Sequence, residues 1–249
     1  MYWSASRIIR STASTSCCPK RWRRSCTAPG KASGQEPPER GLLLPGGIEF
    51  ATVAVMRKAS APKRGASTQA YQLYVELEWV SPKVWRRFLV PTTIELPLLH
   101  VVLLWGTGWE GGHLHEFVFP AANYAPSEPG GDLPEGVRNE KRVTLKAALG
   151  THKSFLYVYD YGDNWQHKVK VEKIVDLDAP LSAPTCLAGE NACPPEDVGG
   201  APGYEQFLAA LADPKDPEHE NMKEWIGGDF DPAAFDVDEV NRRLSPSEY

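Results

Sequence analysis

The sequence predicts a single α+β domain with a mainly antiparallel sheet, one buried helix near its start and a C-terminal group of short helices. Three observations support this fold class. Short runs of alternating apolar and polar residues recur between residues 68 and 175, as in half-buried strands. Residues 93–105 are apolar nearly all round, which indicates a buried helix. After residue 204 the pattern becomes helical, and this order of elements is typical of α+β domains.

The first half of the domain is predicted as strand, strand, helix, strand. The strand at residues 71–80 alternates, because one face holds Tyr71, Leu73, Val75, Leu77 and Trp79. A second strand covers residues 84–90, and the buried helix follows with Pro97 in its first turn, where a missing N–H does no harm. A third strand is expected at residues 113–119.

The second half is predicted as a loop, a hairpin, a second loop and then helices. The expected loops are residues 121–140 and 181–202, which are rich in Pro and Gly. One or two helical turns are expected at residues 143–149, and the hairpin joins residues 154–160 to 165–175. Short helices are expected at residues 204–212, from Asp216 as N-cap toward Trp225, and at 240–244 after a capping box that begins at Asp236.

The charge of the chain is divided between two regions. Residues 1–67 carry 12 of the 27 Lys and Arg and 3 of the 32 Asp and Glu, a net charge of +9. Residues 68–249 carry the remaining 15 basic and 29 acidic residues, a net charge of −14. We interpret residues 1–67 as a basic, disordered leader and linker, with Met56 as the natural start, and residues 68–249 as the α+β domain. A functional tail and an organellar targeting segment are the alternatives for the leader.

Composition excludes several classes of function. The acidic domain disfavours nucleic acid as a partner, because each phosphate contact normally uses Lys or Arg. No apolar run approaches the roughly 18 residues that cross a bilayer, so no membrane association is expected. Five cysteines are too few for a disulfide scaffold, which favours a reducing, cytoplasmic compartment.

Three segments carry the polar residues from which a site could be built. Two histidines spaced by two residues on a strand would share a face, where imidazoles beside a carboxylate can bind a metal or move protons. Acidic residues flank the hairpin turn, and a stiff Pro-Pro pair precedes two more in the second loop. The polar pocket that we expect therefore consists of His113, His115, Glu116, Asp160, Asp163, His167, Glu196 and Asp197. Local hydrogen bonds and packing are the alternative role for each segment. The sequence does not identify a cofactor or a metal.

The same segments resemble one known family, the plasmid pRi ORF-3-like proteins. The residues that carry the resemblance are 82–87 (PKVWRR), 113–117 (HLHEF), 157–167 (YVYDYGDNWQH), 186–200 (CLAGENACPPEDVGG) and 225–232 (WIGGDFDP). The resemblance covers residues 70–244 and implies a compact α+β domain found on plasmids and beside insertion elements. Some members of this family are called insertion-element passenger or TnpR-like proteins. The resemblance carries over no reaction and no catalytic residue.

These observations predict a non-catalytic binding or accessory domain associated with mobile elements, with a protein or a small polar ligand as partner. The domain has no recognisable nucleophile and base set, which is why an enzyme is the less favoured hypothesis. The alternatives are a metal-dependent hydrolase or nuclease that uses the His and Asp residues, and a DNA-binding accessory factor that uses the basic residues at 57–64.

Overall fold

One eight-stranded sheet organises the domain. The computed structural model describes residues 68–127 and 131–245, so the expectations for residues 1–67, including Met56, lie outside the described residues. The strands are β1 (Gln69–Leu77), β2 (Trp85–Pro91), β3 (His115–Val118), β4 (Asn123–Ala125), β5 (Val137–Asn139), β6 (Ser154–Tyr159), β7 (Trp165–Asp176) and β8 (Thr185–Glu190). Their order is β5-β4-β3-β6-β7-β1-β2-β8, and every neighbouring pair is antiparallel except β4 with β5. This architecture confirms the predicted fold class.

Five helices are described. They are α1 (Leu96–Thr107), α2 (Leu145–Leu149), α3 (Gly200–Ala212), α4 (His219–Ile226) and α5 (Val237–Leu244). The Asp236 side chain caps α5 by accepting hydrogen bonds from the backbone N–H groups of Asp238 and Glu239, as the sequence predicts. None of the described helices is both long and apolar enough to span a bilayer.

The core lies between α1 and the inward face of the sheet. Leu73, Val75 and Leu77 of β1 are buried, because strict alternation sends every second side chain of the strand to that face. α1 is buried on nearly all sides, and α3 and α5 close the same core with Tyr204, Phe207, Val240 and Leu244.

α1 approaches the sheet very closely at Gly106. A Cβ at this position would lie 2.2 Å from the Phe88 ring of β2, so no larger residue fits there without displacement. The helix ends at Gly108, whose φ of 105° is in the left-handed region and whose N–H reaches the carbonyls of Leu104 and Trp105.

The structure differs from the sequence expectations in several elements. The expected loop at residues 181–202 contains β8, and the loop at 121–140 contains β4 and β5. Short strands at or next to the edges of the sheet, with few β-branched residues, give little periodic signal, and for this reason the sequence does not reveal them. α4 begins after Glu218, not Asp216. The prediction that Trp79 faces the core is wrong, because β1 ends at Leu77 and Trp79, with φ 68°, is 79% exposed in the turn.

Arg86 is the buried charge of the core. It lies on the inward face of β2 and is 3% exposed. Its guanidinium donates hydrogen bonds to the carbonyls of Gly106, Trp85, Glu190 and Asn191, at 2.8–3.1 Å, and stacks over the Phe235 ring. The bonds to Glu190 and Asn191 hold the end of β8 against β2, and the chain continues from there toward α3.

Candidate functional site

The three polar segments of the sequence meet at one end of the sheet. They are residues 109–114 after α1, the β6–β7 turn, and residues 192–199 before α3. The Trp109 indole N–H donates to the Pro194 carbonyl at 2.8 Å. The backbone N–H of Gly199 donates to the Asp163 carboxylate at 3.1 Å, which ties the turn to the start of α3.

Glycine makes the second of these contacts possible. Gly200 has φ 70°, and a Cβ there would lie 2.6 Å from the Asp163 carbonyl oxygen. Only a residue without a side chain allows the turn and the helix start to approach this closely. The Gly-Gly pair that ends the third segment therefore serves the packing of the site.

The outer part of the site is a polar and partly apolar rim, formed by His113, Leu114, Asp160, Tyr161 and Asp197. The His113 ring lies between two carboxylates, with Nδ1 3.4 Å from Asp160 Oδ2 and Nε2 3.4 Å from Asp197 Oδ1. One ligand atom from each of these three residues lies within 4.8 Å of the other two. Asp160 and Asp197 have φ of 56° and 60°, a conformation that costs free energy in residues other than glycine.

Glu196 supports the rim from behind. One carboxylate oxygen accepts a hydrogen bond from the Tyr159 hydroxyl at 2.6 Å, and the other accepts from the backbone N–H of Glu110 at 3.0 Å. Burial, with this carboxylate next to it, raises the pKa of Tyr159 above its usual value, so the hydroxyl stays protonated and donates. Glu196 thus joins two of the three segments.

An inner cluster of polar groups lies deeper, formed by His100, His115, Glu140 and Tyr157. The rings of His100 and His115 stack with centroids 3.6 Å apart and planes 5° from parallel. His115 Nε2 is 2.9 Å from Glu140 Oε2, and His100 Nδ1 is 2.7 Å from the Tyr157 hydroxyl. The four side chains satisfy one another away from the rim.

Burial disfavours the charged forms of the inner cluster. It lowers the pKa of His115 to about 3 and raises the pKa of Glu140 to about 7. The pKa of His100 is also lowered, by burial first and by the neighbouring His115 second. Below pH 7 the Glu140 carboxyl therefore donates its proton in the hydrogen bond to the neutral ring of His115.

His167 is a packing residue of the core. It is 1% exposed, and its Nδ1 lies 3.3 Å from the Tyr157 carbonyl oxygen. Its ring packs edge-on against Trp109, with centroids 5.3 Å apart. Burial lowers its pKa to about 4, and its Nε2 has no hydrogen-bond partner among the described residues. The ring is therefore neutral, and its contacts lie within the core.

The eight residues expected in one pocket occupy different places. His113, Asp160 and Asp197 converge on the rim, with Glu196 behind them, whereas His115 belongs to the inner cluster. Asp163, His167 and Glu116 have other partners, and Glu116 accepts from Asn123 at 2.7 Å. β3 begins only at His115, so His113 precedes the strand, and the two histidines contact different carboxylates.

The residues of the site that are absent from the sequence prediction are Leu114 and Tyr161 of the rim, Tyr159 behind it, and His100, Glu140 and Tyr157 of the inner cluster. Tyr159 shares the alternation of Tyr157 and Trp165 and so was detectable as an inward-facing residue. His100 is on the buried helix, where a satisfied core histidine is the ordinary expectation. Glu140 gives no local signal, because it lies in an irregular stretch and its role depends on His115, 25 residues away.

The two cysteines of the described region are outside these clusters. Cys186 and Cys193 are free thiols. Burial raises the pKa of both, that of Cys193 to about 12, which keeps them protonated. They are poor candidates for metal ligands.

Comparison with known proteins gives consistent matches over the described domain. The family model for plasmid pRiA4b ORF-3-like proteins matches residues 69–239. The chain is 41% identical over 177 residues to uncharacterized protein y4hQ of Sinorhizobium fredii, a match that covers 70% of this chain and 89% of that protein.

A solved structure is also similar. The crystal structure of MM3350, a protein of unknown function from Methanosarcina mazei Go1, superposes with a TM-score of 0.63 at 36% identity. The match covers 69% of this chain and 96% of the other. Neither relative has an assigned activity.

Proposed function

The chain belongs to the plasmid pRiA4b ORF-3-like family, and we propose that it serves as a non-catalytic accessory domain that binds a protein partner at the rim. The family name supports an association with plasmids and other mobile elements, where an accessory role would be exerted through such a partner. The observation that carries the proposal is the rim itself, in which the exposed side chains of Leu114, Tyr161 and Asp197 adjoin the largely buried carboxylate of Asp160.

The rim has the mixture of side chains that protein interfaces use. Leu114 is 55% exposed and Tyr161 is 51% exposed, and they adjoin the acidic groups of Asp160 and Asp197. The backbone N–H of Asp160 bonds to the Leu114 carbonyl at 2.9 Å, so the two halves of the rim move as one. An exposed aromatic with polar neighbours is the usual centre of a binding surface.

Preorganisation strengthens this interpretation. Asp160 Oδ1 accepts from the Gly162 N–H at 2.8 Å, and the Tyr161 hydroxyl donates to the His115 carbonyl at 3.4 Å. A surface that is already ordered loses less conformational entropy when a partner docks. The carboxylates of the rim, within a domain of net charge −14, favour a partner with a basic contact surface.

Binding is favoured over catalysis because the groups that could act as a base already have structural partners. Glu196 is bound to Tyr159 and a backbone N–H, and Asp163 is bound to the N–H of Gly199. His115 and His167 are buried and neutral, and their contacts lie inside the core. Of the three histidines expected in the pocket, His113 alone lies at the rim.

Site-specific photo-cross-linking tests the proposal. p-Benzoylphenylalanine replaces Tyr161 in the full chain, expressed in the cell that produces it, and adducts are identified by mass spectrometry. We expect one dominant protein adduct, reduced by the additional substitution Asp197→Asn. The matched control places the same probe at Ile174, which is 56% exposed on β7. Equal adducts from both positions, or none from position 161, would contradict the proposal.

A turnover assay separates this function from the hydrolase alternative. The purified full chain is incubated with bis(p-nitrophenyl) phosphate or plasmid DNA in the presence of Mg²⁺, Mn²⁺ or Zn²⁺. We expect no turnover beyond that of the Asp197→Asn variant. Turnover that this substitution abolishes would replace the binding proposal with a metal-dependent hydrolase.

A further inference from the structure

We propose that His113, Asp160 and Asp197 bind one divalent transition-metal ion, with zinc as the expected ion. The three residues come from three different segments, yet one ligand atom of each lies within 4.8 Å of the others. Both nitrogens of the imidazole face a carboxylate oxygen at 3.4 Å. One ion can bind only one of the two ring nitrogens, so the carboxylate beside the other nitrogen must rotate toward it. Ligand atoms that now lie within 4.8 Å of one another would then close to the spacing of about 3.4 Å found around a tetrahedral zinc ion.

Each ligand is held so that it can serve an ion. Asp160 uses Oδ1 for the Gly162 N–H, which leaves Oδ2 directed at His113. The His113 ring packs edge-on against Tyr159, with centroids 5.7 Å apart. The side chain of Asp197 is 72% exposed and follows two prolines, so it is the ligand that rotates inward when an ion enters from solvent.

The kinds of ligand select the class of metal. One imidazole with two carboxylates is a mixed nitrogen and oxygen set, which suits zinc and neighbouring transition metals. Calcium and magnesium prefer oxygen ligands alone. Three protein ligands leave at least one position for water or for a group from a partner.

The charge of the site also favours a cation. Asp160 and Asp197 flank the single imidazole of His113, and Glu196 is the neighbour of Asp197 in the sequence. In residues 68–127 and 131–245 no lysine or arginine makes an ion pair with any of these three carboxylates. Among the described residues, the carboxylates of Asp160 and Asp197 therefore have no lysine or arginine that competes with a bound cation.

Calorimetric titration of the metal-stripped full chain with zinc chloride tests the site. We expect one zinc ion to bind per chain. His113→Ala and Asp197→Asn should each weaken zinc binding by about tenfold or more, because losses of that size already follow from mutating residues that only hydrogen-bond to metal ligands. His152→Ala and Asp178→Asn are the matched controls, because these exposed residues lie beyond the opposite ends of β6 and β7. Both controls should bind as the wild type does.

Cobalt substitution identifies the ligands independently. Cobalt held by imidazole and carboxylates gives weak visible bands without the strong near-ultraviolet absorption of thiolate ligation, so the five cysteines of the chain are distinguished. Zinc binding that survives both rim substitutions at full strength, or no zinc binding to the wild type, would overturn the proposal. Both proposals use the carboxylates of Asp160 and Asp197, but their tests are distinguishable, because cross-linking at position 161 reports the partner and the zinc titration reports the metal.

Discussion

Replacing Glu140 by glutamine should remove a pH dependence from the stability of the domain. Glu140 is 5% exposed, and its pKa is about 7 in the folded protein against 4.5 as its ordinary value. The folded state therefore binds more protons than the unfolded chain between these values, and stability falls as the pH rises through them. From the two pKa values, the loss between pH 5 and pH 8 is about 2–3 kcal/mol.

Glutamine keeps the hydrogen bond without the titration. Its amide donates to His115 Nε2 in the place of the protonated carboxyl, 2.9 Å away in the wild type. His115 contributes in the opposite direction, because its lowered pKa makes stability rise with pH between about 3 and 6.5. That contribution is shared by both proteins and cancels in their difference.

Urea unfolding of the full-length wild type and Glu140→Gln at pH 5 and at pH 8 measures the effect. The stability of the variant relative to the wild type should increase by about 2–3 kcal/mol from the lower to the higher pH. Glu205→Gln, on the exposed side of α3, is the control and should show no such increase. A constant difference for Glu140→Gln, or one that moves against the variant at high pH, would show that Glu140 is ionised and paired with a charged His115.

Three further substitutions test the supports of the site by urea unfolding at pH 7. Arg86→Met should cost about 2–4 kcal/mol of unfolding free energy, because it leaves several buried carbonyl groups without a hydrogen-bond donor. Arg87→Met, on the open face of the sheet, should cost less than about 1 kcal/mol. Equal costs for the two variants would contradict the role of the buried guanidinium. Tyr159→Phe should cost about 1–2 kcal/mol of unfolding free energy, because it removes the hydrogen bond to Glu196. Tyr204→Phe should be neutral or stabilising, because the buried Tyr204 hydroxyl lacks a partner among the described residues. A larger cost for Tyr204→Phe than for Tyr159→Phe would refute these roles of the two hydroxyl groups. Gly106→Ala should cost about 1–3 kcal/mol of unfolding free energy, because the added Cβ would lie 2.2 Å from the Phe88 ring. A stabilised variant would show that the Phe88 ring moves to make room for the methyl group.

The elements with strong periodic patterns were predictable from the sequence. Alternation in β1, β6 and β7 and the apolar surface of α1 are local properties, and they locate most of the sheet and the core. The same alternation places Arg86 between Val84 and Phe88 on the inward face, although a charged residue argues against burial. β8 was missed because its pairing with β2, not its own composition, makes it a strand.

The partners in the site could not be predicted, because they depend on long-range packing. Nothing near Glu140 in the sequence indicates that β5 and the following residues bring it to His115. The Pro-Pro segment was recognisable as stiff, but the direction of Glu196 and Asp197 follows from contacts with Trp109 and Glu110. Spacing identified the segments that meet, and the packing around them determined which side chains face each other.

His113 and His115 show why spacing alone does not define the chemistry of a site. They are two residues apart, yet one lies between the carboxylates of Asp160 and Asp197 and the other is stacked on His100 within the core. The inner environment disfavours charge on each of its groups, and their polar atoms are used in contacts with one another, so this cluster orders the structure. At the rim, the Asp197 carboxylate is open to solvent and the Asp160 carboxylate is largely buried, and the backbone of both residues has a positive φ. A cation or a basic partner therefore gains most from contact at the rim, and the inner cluster keeps β3 and β6 in the positions that hold the rim together.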